Sequence, residues 1–405
     1  MNRVILHSDI NSCYASVERL YYPALAGRPF AVCGSQELRH GIILAKDEAA
    51  KAAGVKTGMA VWQARRLCPE LALVEPHFDR YAKYSAMVRE IYAEYTDLCE
   101  PFGIDESWLD ITNCLACPDP VVTAQEIRHR VKAETGLTVS VGVSWNKTLA
   151  KLGSDYKKPD AVTVIDREHF RSMVWPLPAS ELLMVGRSTR RELSRMGIQT
   201  IGELALTDPE LLRARFGKSG VTIWRYANGL DDSRVRRAGE EEPPQSIGNS
   251  VTLAHDIADE RQARETLLML ADSVSSRLRR QKLRCRTLEV ALRSDELQWR
   301  THRLRLRYAT DVTSELAAIG LDLTRASHDF SCPLRSMGLR ALELVHADEE
   351  EQFDIFIDYV NLNKQRGIDS TVDRIRAKYG AGSITRASLL GEPTIENLEF
   401  CSLPD

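Results

Sequence analysis

No stretch of this 405-residue chain approaches the roughly 18 consecutive apolar residues that a membrane-spanning helix needs. No membrane role is expected. The N-terminus, MNRVILHSDI, has one charge, a short apolar run and then an acid, the pattern of a buried strand rather than a signal peptide. A cytoplasmic protein is expected. A disulfide framework is lacking too: the nine cysteines are scattered and odd in number. Cys114-Leu115-Ala116-Cys117 is a lone CxxC without a second ligand pair nearby, so a structural zinc site is not expected. There is no low-complexity tract, and 43% hydrophobic with 27% charged residues reads as a globular protein of two to four domains.

An excess of positive charge is missing as well. A net charge of -3 does not announce a nucleic-acid binder, but the average hides a strong local asymmetry. Eleven Lys/Arg stand against three acids from Ser276 to Tyr308. Six acids and no Lys/Arg stand from His346 to Asp358.

What is present begins with acids at strand ends. Val4-Ile5-Leu6 leads to Asp9, and a helix is expected from about Ser12 to Leu20. Residues 26–75 read as a small unit, with a strand at Phe30–Cys33 and a helix from Lys46 to Ala53 that ends at Gly54. A long helix is expected over Tyr81–Glu100, a strand–turn–strand over Ile104–Ile111, and a strand over Thr138–Ser144. From Pro176, glycines break short helices. RRAGEEEPPQ at 236–245 reads as a linker, and an α+β segment and an acidic, then helical, tail follow. Asp105-Glu106 on a turn beside a hydrophobic strand would repel each other and call for a cation. Hard divalent ions take a few carboxylates together with substrate phosphates.

Three blocks carry a family resemblance. Asp9-Ile10-Asn11-Ser12-Cys13-Tyr14-Ala15-Ser16-Val17-Glu18 resembles the first motif of the Y-family DNA polymerases. Ile104-Asp105-Glu106-Ser107-Trp108-Leu109-Asp110 resembles their second carboxylate motif. Val141 to Lys151, followed by Asp155 and Lys157-Lys158-Pro159, is similar to the third block. Order and spacing agree from the first strand to about residue 345, and the nearest branch is the bacterial DNA polymerase IV (DinB-like) group.

The resemblance implies an α+β multidomain fold, a right-hand polymerase. The palm would be 1–25 and 76–165, the small fingers 26–75, and a helical helix-hairpin-helix thumb 166–235. An α+β little finger at 246–346 would precede a tail at 347–405. It further implies translesion synthesis by two-metal phosphoryl transfer, with low fidelity and no proofreading. Asp9, Asp105 and Glu106 would be the catalytic side-chain ligands of two Mg²⁺ ions, with Mn²⁺ able to substitute, and the Ile10 carbonyl a backbone ligand. Tyr14 would be the steric gate beneath the incoming sugar. The N–H groups of Asn11, Ser12, Cys13 and Tyr14 would receive phosphate oxygens. Lys158 would add a point charge. The fingers depart from the family pattern: Glu48 and Lys51 hold the places of its Tyr and Arg. Lys51 is therefore the expected triphosphate contact there, with Lys46 as a further candidate.

For DNA, Leu183-Met184-Val185-Gly186 resembles a helix-hairpin-helix turn, with Met184 where its first glycine usually stands. The turn at Gly217 is similar. Arg303, Arg305 and Arg307 alternate on an expected strand, and Arg335 lies on the last strand of that domain; all four are expected at phosphates. Gln352-Phe353-Asp354-Ile355-Phe356 resembles the pentapeptide that docks on a bacterial sliding clamp. The partners are thus primer–template DNA, deoxynucleoside triphosphates and the clamp, for a monomeric enzyme. The rivals are a polymerase-like accessory DNA-binding protein with a weakened palm, and a metal-dependent nuclease.

Overall fold

The computed structural model describes residues 3–35, 39, 41–114, 117, 119–240, 242–349 and 358–389. The chain divides into two compact units, Met1–Gly34 with Ile42–Glu241, and Ser35–Gly41 with Glu242–Asp405. The break falls inside the proline-containing segment expected as a linker.

The first unit opens with β1 (Ile5–Ile10), all six residues buried, and α1 (Cys13–Tyr21). A small insertion follows: β2 (Phe30–Cys33), β3 (Ile43–Lys46), α2 (Glu48–Ala52), α3 (Val61–Leu67) and β4 (Ala72–Val74). Its three strands pair in the order β3-β2-β4 over its own core of Ala31, Ile43, Ala50, Val61, Ala64 and Leu71. Lys46 ends β3 rather than opening the expected helix. Asp47 intervenes as the cap, its carboxylate accepting from the Ala50 and Phe30 N–H groups.

The chain then returns through α4 (Phe78–Ala93), β5 (Cys99–Phe102), β6 (Glu106–Asp110), α5 (Pro120–Thr135), β7 (Val139–Ser144), α6 (Lys147–Tyr156) and β8 (Val162–Val164). The helix expected to reach Glu100 stops at Ala93, and Glu100 lies on β5. Its buried carboxylate accepts from Lys147 at 2.7 Å and Arg236 at 2.8 Å, long-range ion pairs that override the helical pattern. The five strands order as β5-β6-β1-β7-β8.

Alternation along β1 sorts its side chains. Leu6 and Ile10 join the core shared with α1, α4 and α5. His7 and Asp9 turn to the other face, where Ser154 of α6 and Lys158 just beyond it meet them. Gly142 on β7 explains how closely α6 lies: a Cβ there would fall 1.9 Å from the Ala150 carbonyl oxygen.

Five more α-helices among the described residues complete this unit: α7 (Phe170–Val174), α8 (Arg187–Arg195), α9 (Ile201–Leu206) and the pair α10 (Pro209–Phe216) and α11 (Lys218–Ala227). They close around Leu193, Ile201, Leu204, Leu212 and Ile223. The start of the expected linker is strapped to this unit. Val235 is buried, and Ala238 N–H donates to the Asp97 carbonyl at 3.1 Å.

The second unit carries β9 (Ser246–Ile257), α12 (Glu260–Arg280), β10 (Leu283–Ser294), β11 (Trp299–Thr310), α13 (Thr313–Ser327) and β12 (Leu334–His346). All pairings are antiparallel in the order β11-β10-β12-β9. Leu288, Val290, Met337 and Leu339 pack against Leu267, Leu270, Val274 and Leu316 of α12 and α13, leaving the opposite sheet face open. The tail forms α14 (Tyr359–Tyr379), docked largely through charge. Asp369 accepts from the Thr313 N–H at 2.8 Å and from Arg386 at 3.0 Å, and Asp373 pairs with Arg279 at 2.6 Å.

Candidate active site

Antiparallel register brings the distant acids together. Asp9 of β1 lies opposite Glu106 of β6. The next residue, Ile10, donates its N–H to the Asp105 carbonyl at 2.9 Å, so Asp105 is tied to the same strand end. All three sit on the rim of the sheet, beside α6.

Too many carboxylates share this space, and the chain answers with lysines. Lys158 Nζ lies 2.6 Å from Asp9 Oδ2 and 2.7 Å from Asp155 Oδ1. Lys151 Nζ pairs with Glu106 Oε2. Burial and the neighbouring acids push the Asp9 carboxyl up against the pull of Lys158. Burial and the Glu106 charge push Asp105 up. Burial also acts on Glu106, but the His7 and Lys151 contacts more than offset it and hold its carboxyl below the ordinary range. Burial pushes the His7 ring toward its neutral form; its Nδ1 meets Ser154 Oγ at 2.8 Å. Nε2 lies 3.1 Å from Glu106 Oε2, off the line of a good hydrogen bond.

Among the described residues no three His, Cys, Asp or Glu side chains form a ready-made metal cage. Two small divalent ions do not require one, since they keep waters and take substrate phosphates beside one or two carboxylates. The donor set fits: hard oxygens only, in excess of the local cations, with two of the three acids pushed toward protonation by burial first and by their neighbours' charge second.

Tyr14 projects from the first turn of α1, five residues beyond Asp9. Its ring stacks on Tyr81, centroids 4.1 Å apart and 8° from parallel, with Phe78 edge-on at 5.8 Å. Tyr81 is fixed in turn by Glu18, a fully buried carboxylate that accepts from Tyr81 at 2.7 Å and Arg80 at 2.8 Å. A rigid aromatic floor results. Ser12 before it is left-handed (φ 48), which turns the chain from strand to helix.

One expected phosphate contact fails here. The Asn11 N–H donates to the Thr138 carbonyl at 2.9 Å, and its side-chain amide is held by Ser140 and the Asp160 N–H. Asn11 is a clamp between strands, and its backbone N–H is already taken. Ser12, Cys13 and Tyr14 remain at the helix start. Lys51 lies 3.4 Å from Glu48, which also meets Ser12 Oγ at 3.3 Å, so α2 faces this turn. Lys46 is near enough to Lys51 for burial first and that charge second to push its ammonium down.

At the expected DNA contacts, Met184 adopts φ 71, the left-handed conformation that the hairpin asks of a glycine. The turn geometry is therefore kept at a strain cost, Val185 is buried, and Gly186 precedes α8. Gly217, φ 62, joins α10 to α11. In the second unit, Arg303 and Arg305 stand on the open sheet face opposite Glu289 and Thr287. Arg307 differs from the expected common face. An irregularity in the pairing before Thr310 intervenes, and Arg307 lines a cavity of about 380 Å³ with Tyr308, Glu315 and Asn361. Arg335 lies at a second irregularity, between Leu334 and Ser336. Gln352, Phe353, Asp354, Ile355 and Phe356 fall outside the described residues.

Sequence reasoning passed over His7, Lys151, Tyr81 and Glu18. Alternation from Asp9 back to His7, and the i, i+4 step from Lys147 to Lys151, were the available signals.

Clustered carboxylates on an antiparallel rim, an aromatic floor and a lysine-bearing helix define a palm of the nucleotide-polymerising class. Residues 8–155 match the impB/mucB/samB family, and residues 244–355 match its C-terminal domain. A DNA polymerase IV of Acetivibrio thermocellus is 45% identical over 391 residues, covering 96% of this chain and 98% of that protein. DNA polymerase IV 1 of Bacillus subtilis is 37% identical over 397 residues, 96% and 94% covered. A chimeric Y-family DNA polymerase structure superposes with a TM-score of 0.74 at 21% identity, covering 85% of this chain and 99% of its own. The chain belongs to the impB/mucB/samB family together with the DNA polymerase IV proteins it matches over nearly its full length, shares the fold of a Y-family polymerase, and is a DNA-directed DNA polymerase by that membership.

Proposed function

We propose that this chain extends primer 3′ ends opposite damaged template bases by two-metal phosphoryl transfer, with low fidelity and without proofreading. The observation that carries the reading is the register of Asp9 against Glu106, with Asp105 tied to Ile10. Asp9, Asp105, Glu106 and the Ile10 carbonyl are the groups to hold two Mg²⁺ ions. Those ions would activate the 3′-hydroxyl and stabilise the departing pyrophosphate.

The chain's own residues do the rest. Lys151 holds one oxygen of Glu106 and leaves the other without a protein hydrogen bond among the described residues. Lys158, beside Asp9, would place its ammonium against the triphosphate. Lys46 and Lys51 of the insertion would add charge from the other side. The Tyr14 ring, braced by Tyr81, would leave no room for a 2′-hydroxyl. Val185, Gly186 and Gly217 would offer backbone N–H groups to DNA phosphates, and Arg303 and Arg305 would grip the duplex backbone. Gln352 to Phe356 would tether the enzyme to a sliding clamp, adding processivity through effective concentration. A cytoplasmic monomer suits this role.

The test is extension past a defined template lesion with Mg²⁺, wild type beside Asp105→Ala. Wild type is expected to pass the lesion and the variant to stall at the first nucleotide. A wild type that stops at the lesion, or a variant that extends, refutes the reading.

A further inference from the structure

The open face of the second sheet has a nearly bare floor. Gly248 and Ser250 of β9, Gly338 of β12, Ala291 of β10 and Thr301 of β11 form neighbouring positions across it. One acid interrupts it. Glu289 of β10 stands directly opposite Arg303 on one side and Arg340 on the other. Its Oε2 pairs with Arg303 and its Oε1 lies 3.5 Å from Arg340. The carboxylate is 4% exposed while the two guanidiniums are 62% and 54% exposed, so the arginines roof the acid and face outward. Gly248 lies close beside them: a Cβ there would fall 3.1 Å from the Arg340 stem.

A surface built only for the strongest grip on phosphate would not bury an anion beneath its cations. With Glu289 in place the trio carries one net positive charge instead of two. Both guanidiniums also share their donors with an internal acceptor, and an arriving phosphate has to compete for them. The register fixes this arrangement, because the acid and both arginines are cross-strand neighbours rather than flexible surface groups.

We propose that Glu289 is a built-in counter-anion that weakens the hold of Arg303 and Arg340 on the DNA backbone, so that the polymerase releases its product readily. This rests on the reading of the open face as a DNA contact. The effect is electrostatic, so it belongs mainly to the dissociation rate and to the salt dependence of binding.

The experiment measures affinity and dissociation of the full-length protein on a primer–template duplex between about 0.1 M and 1 M salt, for Glu289→Gln, Glu289→Asp and the double Arg303→Gln/Arg340→Gln. Removing the charge frees about one phosphate contact. Glu289→Gln is therefore expected to bind up to about tenfold tighter at 0.1 M, to leave correspondingly more slowly, and to steepen the log–log salt slope by about 0.9. Glu289→Asp keeps the charge but withdraws it by one methylene, and is expected to stay near wild type. Weaker binding in both single variants would show that the acid merely props the arginines in place, and would overturn the proposal. Unchanged binding in Glu289→Gln, with the double variant weakened, overturns it as well. A double variant that binds like wild type would instead remove the DNA-contact reading of the face itself.

Discussion

The two large sheets solve opposite charge problems. On the palm rim, acids outnumber cations and the chain lends lysines, Lys151 and Lys158, from one neighbouring helix and the loop after it. On the open face of the second unit, arginines are in excess and the chain sets one buried acid, Glu289, between two of them. The palm charges are largely buried, so pairing there governs stability and proton affinity. The arginines of the other face are more than half exposed, so water and salt screen them and they are free for a long-range partner.

Asp105→Ala should separate the two regions most sharply. Loss of several kcal/mol of transition-state stabilisation corresponds to a drop in incorporation of at least about a thousandfold. DNA affinity should hold, which filter binding or anisotropy would check. Comparable losses in both would mean that the rim also anchors DNA.

Glu100→Ala takes the carboxylate from the buried Lys147 ammonium and should cost about 3–5 kcal/mol of first-unit stability, read by thermal or denaturant unfolding. Burial pushes the Glu100 carboxyl up, but its Lys147 and Arg236 hydrogen bonds more than offset this, and it lies below the ordinary value. The unfolded chain therefore takes up the proton first. The contribution is complete at neutral pH and drains away as the solution falls below about pH 4.3. The gap in melting temperature between wild type and variant should narrow in that range.

Tyr14→Ala removes the ring proposed as the gate while Tyr81 remains. Ribonucleotide incorporation relative to deoxyribonucleotide should rise by on the order of 10- to 200-fold, measured as the ratio of kcat/KM values. An unchanged ratio would mean that the aromatic floor is only packing.

Arg305→Ala should do least. Its partner Glu343 is 3.5 Å away and both are exposed, so stability should move by less than about 1 kcal/mol. The salt slope of DNA binding should fall by about 0.9. A large stability loss would contradict the contrast between screened and buried charge.

Much of the palm was legible because its signals are local. An apolar run ending in Asp9, and a DE pair on a turn, follow from strand alternation and burial. The meeting of these segments was legible only through family resemblance, since pairing between residues about a hundred positions apart leaves no trace in either segment. Glu100 and Lys46 were misplaced because a long-range ion pair and an Asp cap overrode helical periodicity. Asn11 was misread because its N–H is taken by Thr138, a partner that only the folded sheet supplies. Arg303 and Arg305 were readable from alternation, whereas Arg340 and Glu289 needed the register of three strands.

Gly142 has one further consequence. With only a hydrogen atom separating β7 from the Ala150 carbonyl, α6 has no slack toward the sheet. The spacing between its lysine and the rim acid is then set by backbone contact rather than by side-chain adjustment. Changes made anywhere along that helix should register at the chemistry, even where the altered residue touches no substrate.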